Sequence, residues 1–213
     1  RTIKSSVGSC WVAKQSIGYF PKKLYAISNG INFEKLLADD VYKETHREGI
    51  IHTATAGRAE NPTIWISQCY SKVIQDFQSS GLSQGICFLP DIRFRNEVNF
   101  LCSKHNQKEH SDTGYHINIS TRLIRIQSTS KARAERGWVY KKDVDTHNSE
   151  TELDDAARLW LFEFYNHTNS LSSYHQELQP LIRALLPFYH QNASSVAPEV
   201  QGVQSEKLSH SVS

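Results

Sequence analysis

Methionine is absent from this chain, and its first residue is Arg1. A chain without a start residue is expected to be incomplete at its N-terminus or processed. Long apolar runs are absent as well: nothing approaches the roughly 20 residues that a membrane span requires, so no membrane partner is expected. Net charge is nearly missing, with 24 Lys+Arg against 22 Asp+Glu and a formal +2. That excludes a polybasic nucleic-acid arm as the main theme and argues against wholesale disorder, both of which need strong net charge. Cys10, Cys69, Cys87 and Cys102 show no CxxC spacing and are read as buried free thiols in a reducing compartment. The 10 histidines show no HExxH or comparable spacing, so a zinc site is not expected.

What remains is a chain of 213 residues, 38% hydrophobic and 22% charged, a size that calls for one domain with an appendage. Its charge is unevenly placed. Residues 93–142 carry eleven Lys/Arg against four acids, whereas 143–155 carry six acids and no Lys/Arg. Solvated faces are often charged, but a basic module directly before an acidic loop suggests a polyanion as the local partner. The final stretch, 191–213, has no aromatic residue and six serines, and reads as a disordered tail.

Between these limits, apolar strands alternate with helices. Residues 11–19 suit a short strand, and Pro21 opens a helix that stops at Asn29-Gly30. Asp39 and Asp40 can cap a helix beginning near Val41 and carrying Lys43 and Arg47. Pro62 starts another, Thr63 to Phe77, with Ile64, Trp65, Cys69, Val73 and Phe77 at roughly helical spacing. Gly85 to Leu89 read as a buried strand, Glu97 to Ser103 as a helix, Leu123 to Gln127 and Leu159 to Phe164 as strands, and Tyr174 to Leu186 as a closing amphipathic helix. This alternation predicts a parallel sheet covered by helices on both faces.

Ligands of such sheets bind at the carboxyl ends of the strands, and Asp91 lies just beyond Phe88-Leu89. By itself Asp91 reads as a helix cap or turn residue. With Arg93 and Arg95 it forms an Asp-x-Arg-x-Arg cluster suited to a magnesium ion or its water shell and to phosphate oxygens. A second cluster holds Arg125, Lys131, Arg133 and Arg136, ending in Arg136-Gly137-Trp138. Arg133 and Arg136 share a helical face, and the glycine would let the segment hinge. That combination suits a mobile lid that brings positive charge onto a transferring phosphoryl group. His147, among carboxylates, reads as a hydrogen-bonded loop residue.

Tyr42-Lys43-Glu44 with Arg47, Ile31-Asn32-Phe33, Arg136-Gly137-Trp138-Val139, Val144-Asp145, Ser149-Glu150 and Leu153-Asp154 together resemble the animal-type phosphomevalonate kinases, in order and spacing, over about residues 20–186. Ile92 to Val98 is also similar to a segment of deoxynucleoside monophosphate kinases, which share the nucleoside monophosphate kinase-like fold. The Arg-Gly-Trp ending favours the former.

The resemblance implies a three-layer α/β/α parallel sheet of the P-loop type and transfer of the γ-phosphoryl of magnesium-bound ATP to mevalonate 5-phosphate, in the cytosolic mevalonate route to isoprenoids and sterols. It implies a monomer whose partners are ATP and the phosphorylated acid. The domain would span residues 20–190 with a lid at about 128–142, after a divergent or truncated segment at 1–19. The implied substrate contacts are Lys22 or Lys23, Lys43, Arg47, Arg58, Arg93 and Asn166. Nucleotide contacts fall on Arg125, Arg133, Arg136, His167 and Gln176, with Arg133, Arg136 and Asp91 catalytic and Asp91 also on the metal.

Two departures from the family stand out. No Gly-x4-Gly-Lys phosphate loop occurs, since Gly8 to Gln15 imitates its spacing but lacks the second glycine and the hydroxyl residue. Ser67 stands where the family tends to carry an arginine. The first strand and phosphate loop are therefore read as missing or degenerate, with the loop expected upstream of Arg1 and ATP turnover impaired without it. The alternatives are a nucleoside or deoxynucleoside monophosphate kinase, or a non-catalytic relative that keeps a basic cleft.

Overall fold

Cys10 to Lys14 form a strand, β1 (Cys10–Lys14), whose Trp11 is buried and whose ring lies 5.6 Å from that of Phe77. The computed structural model describes residues 10–105, 107–110, 116–154, 160–167 and 170–185. Gly8, the 191–213 tail, and Leu159 and Leu186 at the ends of two expected elements lie outside the described residues. Because the Gly8–Gln15 stretch runs into a strand, its resemblance to a phosphate loop is one of spacing alone.

Helices α1 (Tyr19–Asn29), α2 (Phe33–Ala38), α3 (Asp40–Thr45), α4 (Arg47–Glu60) and α5 (Ile64–Ser79) follow. The stop at Asn29-Gly30 is as expected: Gly30 adopts φ 62°, and the Ile31 N–H returns to the Ala26 carbonyl at 3.0 Å, a left-handed cap that favours glycine. Asp39 caps α3 through the Tyr42 N–H at 2.9 Å. The single helix expected to carry both Lys43 and Arg47 is instead two, broken at His46. Tyr25 of α1 bonds His46 Nδ1 at 3.2 Å, and Tyr42 meets the imidazole edge-on at 4.7 Å. Gly49 lets α4 lie against the Tyr25 ring, where a Cβ would come within 2.3 Å. Aromatic packing, not a helix-breaking residue, thus sets the break.

Strand β2 (Gln84–Phe88) runs parallel to β1, Cys10 opposite Gln84 and Lys14 opposite Phe88. Gly85 sits under the Trp11 and Phe77 rings, where a Cβ would approach both to under 3.0 Å. The expected burial of this strand does not hold: Gln84, Gly85 and Phe88 are exposed, Phe88 by 54%, and Ile86 and Cys87 are only half-buried. Next come α6 (Arg95–Lys104), an antiparallel pair β3 (Lys108–His110) and β4 (His116–Asn118), and β5 (Ile124–Gln127). They are followed by α7 (Ser130–Glu135), α8 (Lys142–Asp145), α9 (Asn148–Thr151) and β6 (Phe162–Tyr165). Strand β6 runs parallel to β5, Gln127 opposite Tyr165. The chain is therefore mixed α/β with small parallel sheets. Among the described residues the strands form three two-stranded ladders instead of the one continuous sheet expected, and Ile126 of β5 is 60% exposed.

The core explains why the loops after β1 and β2 are held. Ile17, Trp65, Ile66, Cys69 and Leu101 are buried together, with Leu89 and Ile92 packed against them. Each fully buried side chain of this kind contributes about 1.5–3 kcal/mol. Ile17 belongs to one loop, while Leu89 and Ile92 flank Pro90-Asp91 in the other, so a single cluster pins both. The chain divides into two compact units, Arg1–His167 and Thr168–Ser213. The described part of the second carries one helix, α10 (Leu171–Leu185), with Pro180 inside it.

Candidate functional site

The loops after β1 and β2 are joined by one carboxylate. Asp91 Oδ2 accepts from Ser16 Oγ at 2.6 Å and from the Gly18 N–H at 3.0 Å, and its Oδ1 accepts from the Ile17 N–H at 3.0 Å. Ile17 and Gly18 immediately precede α1, so Asp91 satisfies donors at the start of that helix and places negative charge where the helix dipole favours it. This bears out the turn-and-cap reading of Asp91. Its surroundings do not fit a magnesium ligand. Both of its oxygens are already engaged by donors of this chain. Asp91 is a positioning residue, and no metal or catalytic step is assigned to it.

One cation lies close to that carboxylate. Lys22, one turn into α1, brings its ammonium near Gly18: a Cβ built there would lie 3.8 Å from Nζ and 3.4 Å from Asp91 Oδ2. Burial lowers the Lys22 pKa first, the Lys43 charge lowers it next, Asp91 raises it and Arg93 lowers it again. Lys22 is thus a half-buried ammonium held close to a carboxylate. Lys22 is half-buried, whereas Lys23 is exposed. Lys43 pairs with Asp40 and Arg47 Nε with Glu44 Oε2 at 2.7 Å, each within a few residues of sequence. With the break at His46, Lys43 and Arg47 lie on separate helices and no longer share one helix face.

Arg58 of α4 packs on the residue that precedes α6. The Arg58 guanidinium lies 4.4 Å from the centre of the Phe94 ring, and burial lowers its pKa, opposed by the charges of Glu97 and Glu152. Glu97 is 3% exposed and accepts from the Arg93 and Phe94 N–H groups at 2.9 and 3.2 Å. Burial raises its pKa, and those two bonds and Arg58 oppose the rise. Glu97 therefore fixes the backbone that aims Arg93, a role the sequence reading missed. Its signal is weak because the helix starts after Phe94, not after a Ser, Thr, Asp or Asn.

The second cluster gathers at the carboxyl ends of β5 and β6. Arg136 Nε donates to the Ala132 carbonyl at 3.0 Å, and its Nη2 donates to Ser128 Oγ and, at 3.3 Å, to the Asn166 carbonyl. Ser128 Oγ also donates to that carbonyl at 2.7 Å, while the Asn166 side-chain oxygen is buried without a partner. Arg133 stacks on Trp138 at 4.1 Å from the ring centre. Gly137, expected as a hinge, is a helix stop: at φ 88° it lets its own N–H reach the Ala134 carbonyl and the Trp138 N–H reach that of Arg133, at 2.9 and 3.0 Å. His167 is exposed beside Tyr165. Gln176 is exposed on α10 in the second unit.

The acidic loop supplies the nearest polyanion itself. Glu150 pairs with Arg93, Glu152 Oε1 accepts from the Arg95 N–H at 2.8 Å, and Arg125 donates to the Leu153 carbonyl and to Asp154 Oδ1, both at 2.6 Å. His147 accepts the Ser149 N–H through Nδ1 at 3.2 Å and caps α9, as the loop-residue reading expects. Among the cysteines, Cys69 is buried and Cys87 partly so, with burial first among the causes that push their thiols up to about 12 and about 11. Cys102 is exposed, against expectation. Among the described residues no helix is long and apolar enough to cross a membrane. Residues 5–108, nearly half of the chain and the part that holds Ser16, Lys22, Lys43, Arg58, Asp91 and Arg93, match the family model described as phosphomevalonate kinase, which supports a kinase of that family.

Proposed function

We propose that the chain is built to transfer the γ-phosphoryl group of ATP to the phosphate of mevalonate 5-phosphate, giving mevalonate 5-diphosphate and ADP. The observation that carries this is the half-buried Lys22 ammonium beside Asp91 at the ends of two parallel strands, inside the segment that matches the family. In this reading Lys22, Lys43, Arg58 and Arg93 hold the acceptor phosphate. Asp91 keeps the Ser16–Gly18 loop and Lys22 in place. An acceptor phosphate oxygen forms the new bond to the γ-phosphorus as the β–γ bridging bond breaks and ADP leaves. With a dianionic acceptor no proton moves, so no general base is required, in keeping with a site rich in cations and positioning contacts.

Arg133 and Arg136 would meet the polyphosphate, and Arg136 already joins the ends of β5 and β6. Magnesium would arrive with ATP and neutralise part of the polyphosphate charge, held by the nucleotide's own oxygens. Because no Gly-x4-Gly-Lys segment occurs in the sequence, turnover by this chain is expected to be poor even where the acceptor binds. The test is ADP release with mevalonate 5-phosphate, dGMP and dTMP as acceptors. Release stimulated only by mevalonate 5-phosphate and depressed in Arg136→Ala supports the reading. Release with dGMP or dTMP instead would favour a nucleoside monophosphate kinase, and phosphate-ester binding without any release would favour a non-catalytic relative.

A further inference from the structure

The acidic segment 148–154 reaches the basic surface at separate points along its length. Its contacts are Glu150 on the Arg93 guanidinium, Glu152 on the Arg95 N–H, and Leu153 and Asp154 on Arg125. Arg93 and Glu150 are 57 residues apart in sequence, so their pairing is tertiary, not a local helix pair. The segment is also ordered for the purpose: His147 caps α9, and Asn148 Nδ2 donates to Glu152 Oε2 at 2.7 Å, holding the carboxylate that meets Arg95.

We propose that Glu150 is an internal stand-in for a phosphate on Arg93, so that the acidic segment is a latch which an incoming phosphate must displace. The chemistry is that of competition for one guanidinium. A carboxylate brings one negative charge and two oxygens, whereas a phosphate monoester near neutral pH brings up to two charges and three oxygens. The Arg93 and Glu150 side chains are 48% and 39% exposed, so the exchange needs no opening of the core. Glu150 thereby selects against weakly charged anions, which cannot outbid the resident carboxylate. The inference rests on the anion-site reading of Arg93 given above, and its test separates the two.

Calorimetric titration of the whole chain with inorganic phosphate, and separately with mevalonate 5-phosphate, is run on wild type, Glu150→Gln and the control Glu60→Gln, an exposed residue at the end of α4. Removing an exposed ion-pair competitor should tighten inorganic phosphate about two- to fivefold in Glu150→Gln and leave Glu60→Gln unchanged. In wild type, amide hydrogen exchange over residues 148–152 should quicken as phosphate saturates. Equal or weaker phosphate binding by Glu150→Gln, no phosphate binding by either protein, or unaltered exchange overturns the latch. Tightening with inorganic phosphate while mevalonate 5-phosphate fails to bind keeps the latch and discards the proposed substrate.

Discussion

Replacing Asp91 by asparagine should destabilise the ligand-free protein by about 2–3 kcal/mol. The asparagine has the same shape but only one acceptor oxygen, while the site presents three donors: Ser16 Oγ and the Ile17 and Gly18 N–H groups. A hydrogen bond to a charged group is worth about 1.5–3 kcal/mol, and leaving a buried donor unpaired costs about 1–3 kcal/mol. Since these contacts are only part-buried and the Ser16 hydroxyl can turn elsewhere, a value around the bottom of the summed range, about 2.5 kcal/mol, applies. For a chain of this size each kcal/mol moves Tm by about 2–4 °C, so the expected drop is about 4–12 °C. The assay is thermal unfolding followed by circular dichroism in the presence of a chelator, which removes any contribution from bound metal. Ser16→Ala should cost about 1 kcal/mol, and the double variant less than the sum, because both substitutions remove the same bond. An Asp91→Asn protein melting within about 1 °C of wild type would refute the assignment of Asp91 as the tie between the two loops. A loss seen only in metal-dependent turnover would return it to the role of metal ligand.

Gly57→Ala should destabilise despite alanine's higher helix propensity, because the new Cβ would lie 2.3 Å from Trp65 Cζ2 and Trp65 is fixed by its Nε1 bond to the Ala54 carbonyl at 2.9 Å. Overpacking of about 1–3 kcal/mol against a propensity gain of about 1 leaves a lower urea midpoint, and a higher midpoint would count against the packing described. Glu97 gives a pH signature. Its folded pKa is raised by burial, so the protonated form favours the fold, and the stability it contributes is present below the ordinary glutamate value and lost as pH rises through the raised one. Glu97→Gln should therefore flatten the fall in Tm from about pH 4.3 upward, and an unchanged slope would contradict its burial as a carboxylate.

Glycine and aspartate punctuation made part of this fold legible. Asn29-Gly30 and Asp39 marked helix ends because a positive φ and a side-chain cap each demand particular residues. The carboxyl-end rule likewise led from the strand at 85–89 to Asp91 and Arg93. The break at His46 was not legible, since no proline or glycine marks it and its cause, the Tyr25 and Tyr42 rings, lies partly on another helix. Gly137 reads equally as a hinge or as a helix stop, since both ask for the same residue, and the stop shows only in the structure. The β3–β4 pair carried too little apolar alternation to be seen. Local charge counts showed both the basic stretch and the acidic loop, but not that the loop's carboxylates lie on the arginines of that stretch, a contact only tertiary structure creates.

The central claim, that Lys22, Lys43 and Arg93 form a site for the phosphate of mevalonate 5-phosphate, is most directly tested by equilibrium binding of that ester and of unphosphorylated mevalonate to wild type, Lys22→Gln and Arg93→Gln. Saturable binding of the ester alone is predicted, with each variant weakening it about 10- to 100-fold, the loss expected for one charge-assisted hydrogen bond. Equal binding of mevalonate and its phosphate, or variants that bind the ester as wild type does, would contradict the account.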